Sequence, residues 1–181
     1  MRHPLLLISC LVLSSSCTRI PPPCIPPVSP HTGPPVSDIS PGTYVIELTA
    51  TGGSRKGARA SGTLWLATLP AEVPFDESVV LYGSLQSDLG AIGAPLCSDK
   101  PSPQSRDPRA PGVLVHRNPR GTIYLTIASA SHIYDPGYVT MDGCGIVLFP
   151  DAEIPGHFSG RWDALGIVHD GCGSFVARKD H

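Results

Sequence analysis

From residue 43 onward, apolar and polar side chains alternate with a period of two, the pattern of strands with one buried face. In TYVIELT (43–49), Tyr44, Ile46 and Leu48 share one face while Glu47 and Thr49 take the other. In GTIYLTIAS (121–129), Ile123, Leu125 and Ile127 oppose Thr122 and Thr126. SGTLWLATL (61–69) is apolar on both faces, and SVVLYGSL (78–85) and GVLVH (112–116) are short and rich in Val and Leu. GCGIVLF (143–149), HFSGRWD (157–163) and CGSFVAR (172–178) bring the number of expected strands to eight. The links are turn chemistry: TGGSRKG (51–57), NPRG (118–121), DPG (135–137) and two Asp-Gly pairs at 142–143 and 170–171. None has room for the crossover helix that a parallel sheet needs. The pattern therefore predicts an all-β fold, a single antiparallel eight-stranded meander that hides its edges by closing into a barrel, with a β-sandwich as the runner-up.

Composition sharpens this picture. Gly (19) and Pro (21) make up over a fifth of the 181 residues, which disfavours long helices. Charged residues are 15% and the formal net charge is −2 with no basic stripe, so nucleic acid is not an expected partner.

The first 42 residues stand apart from the barrel pattern. A basic start (Arg2, His3), an apolar run from Leu5 to Leu13 and the small residues Ser14, Ser15 and Ser16 have the three-part logic of a secretory signal peptide. The run falls short of the roughly 20 residues that span a bilayer. It ends at Cys17, and a cysteine directly after the small residues resembles a bacterial lipoprotein signal. That resemblance implies that Cys17 carries the lipid and becomes the mature N-terminus, and Thr18 after it implies the outer membrane. LISC (7–10) has a similar local pattern, but lipidation at Cys10 would leave too short a hydrophobic region; ordinary cleavage near Ser16 is the other alternative. Residues 18–42 follow as a tether: nine of the 22 residues from Pro21 to Gly42 are proline, which predicts an extended polyproline-like spacer. The division expected is thus 1–17 signal, 18–42 tether and 43–181 barrel.

The barrel portion, with GTLW (62–65), SGRW (159–162) and the late basic residue Arg178, resembles the lipocalin or avidin-type calycin barrels. The resemblance implies a ligand-holding interior and a packing pair of Trp162 with Arg178 at one barrel end. One long break, 86–111, carries several prolines and mixed charges. A loop of this length is a lid or a solvated excursion. Its apolar part, DLGAIGAP, is expected to pack on the barrel, and SDKPSPQSRDPR to be solvated.

Two near-repeats, MDGCGIVLF (141–149) and HDGCGSFVA (169–177), raise the matter of the cysteines. Zinc ligands come as C-x₂₋₄-C or H-x₃₋₅-H pairs, and redox pairs as C-x-x-C; neither pattern is present, so no metal and no cofactor is expected. An exported chain favours disulfides. Apart from Cys10 and Cys17, the cysteines are Cys24, Cys97, Cys144 and Cys172. Cys144 with Cys172 is the first pairing expected, and Cys97 with one of them the next. If the last three strands are neighbours, Cys144 and Cys172 sit at the same end, two strands or about 10 Å apart. They bond only if twisted strand ends converge toward the ~7 Å Cα limit. The Asp-Gly-Cys-Gly repeat then reads as strand-entry turn chemistry with the cysteines as staples.

No catalytic signature is present. His116, His132, His157 and His169 are scattered, and there is no Gly-x-Ser-x-Gly or phosphate loop. The chain is not expected to be an enzyme. Trp65, Tyr82, Phe158 and Trp162 are placed in or near the barrel interior, either as core or as the wall of an apolar pocket, with inward Gly83 and Gly160 leaving room. The function expected is that of an exported, lipid-anchored β-barrel of the cell envelope binding a small hydrophobic ligand or envelope lipid. The alternative is a structural or interaction lipoprotein with a filled core and no ligand.

Overall fold

A computed structural model describes Val36 and residues 38–71, 77–94, 112–128, 145–164 and 171–180. These residues form one closed antiparallel barrel in strict sequence order. The strands are β1 (Gly42–Gly53), β2 (Arg59–Thr68), β3 (Val79–Ser87), β4 (Gly112–Arg117), β5 (Ile123–Ala128), β6 (Ile146–Ile154), β7 (His157–Ala164) and β8 (Gly171–Lys179). All eight stretches of alternating pattern are strands. Closure comes from β1 against β8, registered from Tyr44 opposite Lys179 to Gly53 opposite Gly171, with a bulge between Ala50 and Gly52. A closed meander of this kind leaves strand edges unpaired only where neighbours differ in length. The barrel supersedes the sandwich alternative.

The pleat sorts the side chains. Tyr44, Ile46, Leu48, Leu64, Leu66, Leu81, Leu85, Val113, Val115, Leu125, Ile127, Ile146, Leu148, Phe158, Trp162, Phe175 and Ala177 belong to one continuous buried core. Most of their outward neighbours are polar or half-buried; Val45 is exposed and Leu114 buried. Inward glycines bring strands together rather than opening space. A Cβ on Gly83 would lie 1.8 Å from the Trp65 carbonyl oxygen, one on Gly160 2.1 Å from that of Phe149, and one on Gly173 1.9 Å from that of Thr49. Each glycine thus marks a place where one strand's backbone passes close over the next, the device by which barrel strands bend. Gly83 and Gly160 therefore do not supply the room for a cavity that the sequence suggested.

Both ends of the barrel receive apolar plugs. After β3 the chain makes a single 3₁₀ turn, Leu89–Ile92, capped by the Asp88 carboxylate accepting from the Ala91 amide and ended by left-handed Gly93. Leu89 (1% exposed), Ile92 (0%) and Ala94 (2%) join the core, so the apolar part of the long break packs on the barrel as expected. The rest of that break lies outside the described residues. At the other end the chain leading into β1 runs beneath the barrel. Val36 and Ile39, which the sequence reading assigns to the tether, are buried in the core, and the Tyr44 hydroxyl donates to the Ser40 carbonyl at 2.6 Å.

At the same end Asp38 faces Arg117 at 3.6 Å. Glu153 is an exposed residue, yet its pKa is raised above the ordinary 4.5, first by partial burial and then by the negative charge of Asp38. A carboxyl that holds its proton longer when folded makes a small contribution to stability that is fully present below its ordinary pKa of 4.5. That contribution is lost as pH rises through the folded value. Glu153→Gln is therefore expected to flatten the fall in stability from pH 4.5 toward neutrality. At pH 7 it should raise stability by no more than about 0.5 kcal/mol, the scale of surface changes. Urea midpoints across this pH range check it; a steeper fall in the variant overturns it.

Candidate functional site

Two of the four aromatics expected inside the barrel are there. Phe158 packs edge-on against Tyr44 at 5.2 Å between ring centroids and against Phe175 at 5.9 Å. Trp162 is 0% exposed, and its indole Nε1 donates to the Thr49 carbonyl at 3.3 Å. Buried Tyr and Trp polar atoms need such partners, and both have them. A side chain lining a water-sized void keeps some area exposed toward it. Ile46, Leu48, Leu64, Leu85, Val113, Val115, Leu125, Ile127, Leu148, Trp162 and Ala177 keep 0%, and Tyr44, Phe158 and Phe175 no more than 2%. The interior they form is packed and dry, as in an ordinary protein core.

Trp65 and Tyr82 lie elsewhere, and their assignment to the interior is corrected. Trp65 sits between inward Leu64 and Leu66, and Tyr82 between inward Leu81 and Gly83, so both stand on the outer face. There they form a T-shaped pair at 5.7 Å. Farther round the same wall, His116 of β4 stacks flat on Tyr124 of β5 at 4.7 Å, and His116 Nδ1 lies 3.2 Å from the Ser78 hydroxyl. Beyond the next strand, Arg161 lies over the Phe149 ring at 4.9 Å. An outer wall with half-buried aromatics from β2 to β6 is the most distinctive surface among the described residues. The sequence reading missed His116, Tyr124 and Phe149 as members of it. Strand alternation carried that signal, since His116 is two residues from outward Leu114, and Tyr124 is flanked by inward Ile123 and Leu125.

The packing of Trp162 on Arg178 implied by the calycin resemblance does not form. Trp162 pairs across with Gly173, whereas Arg178 pairs with His157, five residues along β8. Arg178 points outward and meets Glu47 at 3.3 Å, both side chains more than half exposed. Such a pair contributes little. Beside it, Glu47, Leu48, Thr49, Arg59, Ala60 and Ser61 line an open groove of about 510 Å³ across β1 and β2.

Cys172 is buried and disulfide-bonded. The other candidates, Cys97 and Cys144, lie outside the described residues, as do Cys17, His132 and His169. The order β6–β7–β8 puts the start of β6 at Ile146 and the start of β8 at Gly171 at the same barrel end, with Cys172 opposite Asp163 and Asp163 opposite Val147; Asp142 to Cys144 lie outside the described residues. Among the described residues no group of three or more His, Cys, Asp or Glu is arranged to hold a metal ion. No helix among them is long and apolar enough to cross a membrane. No family model matches the chain, and no curated protein or solved structure matches it.

Proposed function

We propose that this chain is an exported, lipid-anchored protein of the cell envelope whose barrel serves as a solid interaction module, working through its outer wall rather than by carrying a ligand inside. The observation that favours this over a carrier is the packed interior, where most inward side chains keep 0–2% exposure and both ends are plugged. Its polarity supports a barrel that stands in water beside the membrane. The inside is apolar, and the outside carries Glu47, Arg59, Arg161 and Arg178, the reverse of a barrel that crosses a bilayer. The disulfide at Cys172 fits an oxidising compartment, and the lipobox-like Cys17 supplies the anchor.

Two measurements on the exported protein test the two halves of this reading. Labelled palmitate is expected to enter the wild-type chain and not Cys17→Ser; equal labelling of both, or of neither, removes the anchor. Native mass spectrometry of residues 18–181 is expected to give the bare polypeptide mass. An additional mass that is retained natively and released on denaturation overturns the filled-core reading and restores the carrier.

A further inference from the structure

The ladder between β5 and β6 is short where the tether enters. The β5–β6 ladder pairs only from Leu125 opposite Leu148 to Ile127 opposite Ile146. Strand β6 continues to Ile154, but over that length it pairs with β7 alone. Past the last rung on β5 the Ile123 amide donates to the Val36 carbonyl at 3.2 Å. From Val36 the chain turns under the barrel, through Asp38 beside Arg117 and buried Ile39, to Tyr44. The sequence before Val36 is therefore joined to the barrel at the edge of the wall between β5 and β6. The outward residues flanking that junction are aromatic: Tyr124 on β5, with His116 stacked on it, and Phe149 on β6, with Arg161 over it.

The segment joined there is CIPPVSPHTGPP (24–35), with prolines at 26, 27, 30, 34 and 35. A polyproline helix keeps its carbonyls exposed and presents flat pyrrolidine rings. Such a helix docks on aromatic-lined tracks at low entropic cost, because it is already ordered before it binds. Ten residues in this conformation reach about 31 Å, enough to follow one strand of nine residues at about 3.3 Å each. Composition, junction and wall chemistry thus agree. We propose that the outer wall between β5 and β6 is a docking track for this chain's own proline-rich segment 26–35, with Pro34 and Pro35 seated between Tyr124 and Phe149. The tether would then be a strap on the barrel over residues 26–35, and only the residues before them would act as free spacer.

Proton NMR of the chain 18–181 tests this. Protons of a proline ring lying over an aromatic face move upfield of their unstructured positions. The expected result is upfield-shifted Pro34 and Pro35 δ-protons, with cross-peaks to the Tyr124 or Phe149 rings, at shifts independent of protein concentration. Tyr124→Ala should abolish the displacement. Pro34→Ser with Pro35→Ser leaves the wall untouched, so it guards against a misfolded wall variant; it should shift the Tyr124 and Phe149 ring signals. Unstructured shifts for both prolines in the wild-type chain overturn the proposal. Shifts that appear only on raising the concentration overturn it as well, because they assign the track to a second copy.

Discussion

Trp162→Ala is expected to lower the unfolding free energy of the barrel by about 3–5 kcal/mol, the range for removing a large buried aromatic. The cost depends on whether the surroundings can collapse into the space. Here they cannot readily do so, because two residues against the indole are glycines. A Cβ built on Gly171 would lie 3.0 Å from the Trp162 ring, and one on Gly173 2.6 Å from its Nε1. Neither has a side chain to swing inward. The substitution also leaves the Thr49 carbonyl without the indole donor that now reaches it at 3.3 Å. With net stabilities of about 5–15 kcal/mol, a loss of this size moves a large share of molecules toward the unfolded state. Denaturant unfolding followed through the remaining tryptophan, Trp65, measures it. A loss below about 1 kcal/mol would show that the interior has slack, and would reopen the carrier reading.

Gly83→Ala is expected to cost about 3 kcal/mol, the upper end of overpacking. The added Cβ would stand 1.8 Å from the Trp65 carbonyl oxygen, 2.9 Å from its carbon and 3.1 Å from Leu66 Cδ2. The first two are backbone atoms of the neighbouring strand, so no rotamer change relieves the overlap. Strands β2 and β3 must separate where Leu66 faces Gly83, and the ladder on either side loses its geometry. Gly90→Ala is the control, since a Cβ there meets only the Asp88 side chain at 3.2 Å. Equal midpoints for the Gly83 and Gly90 variants would remove the close-approach account of the barrel glycines.

The same residues show where sequence reasoning succeeds and where it stops. In TYVIELT and GTIYLTIAS the two faces differ chemically, so alternation names the inward side, and the structure agrees. SGTLWLATL is apolar on both faces, and alternation there cannot say whether Trp65 or the Leu64–Leu66 pair turns inward. Tyr82 is different. It is adjacent to Gly83, and adjacent strand residues face opposite ways, so an inward Gly83 already required an outward Tyr82. Phe158, Gly160 and Trp162 are spaced by two and share a face, which is why Phe158 and Trp162 could be placed together. The plug from Val36 and Ile39 escaped notice because proline density marks a segment as non-strand without saying whether its apolar residues are buried.

The period of two and the turn residues at most links pointed to eight antiparallel strands, since each is a local property of the chain; closure into a barrel rather than a sandwich was decided by the pairing of β1 with β8. The signal-like start and the proline density are likewise patterns of consecutive residues, and they lie outside the described residues apart from Val36 and 38–42, which the tether reading had left free of the barrel. What the interior contains was decided only in three dimensions. Whether a glycine opens a cavity or lets a neighbouring backbone approach depends on the partner strand's register, which consecutive residues do not record. Whether a barrel is hollow depends on groups from strands more than a hundred residues apart, such as the Trp162 indole and the Thr49 carbonyl, meeting at van der Waals and hydrogen-bond distance. The outer aromatic wall is likewise an assembly of single residues from β2 to β6, brought side by side only after the sheet has closed.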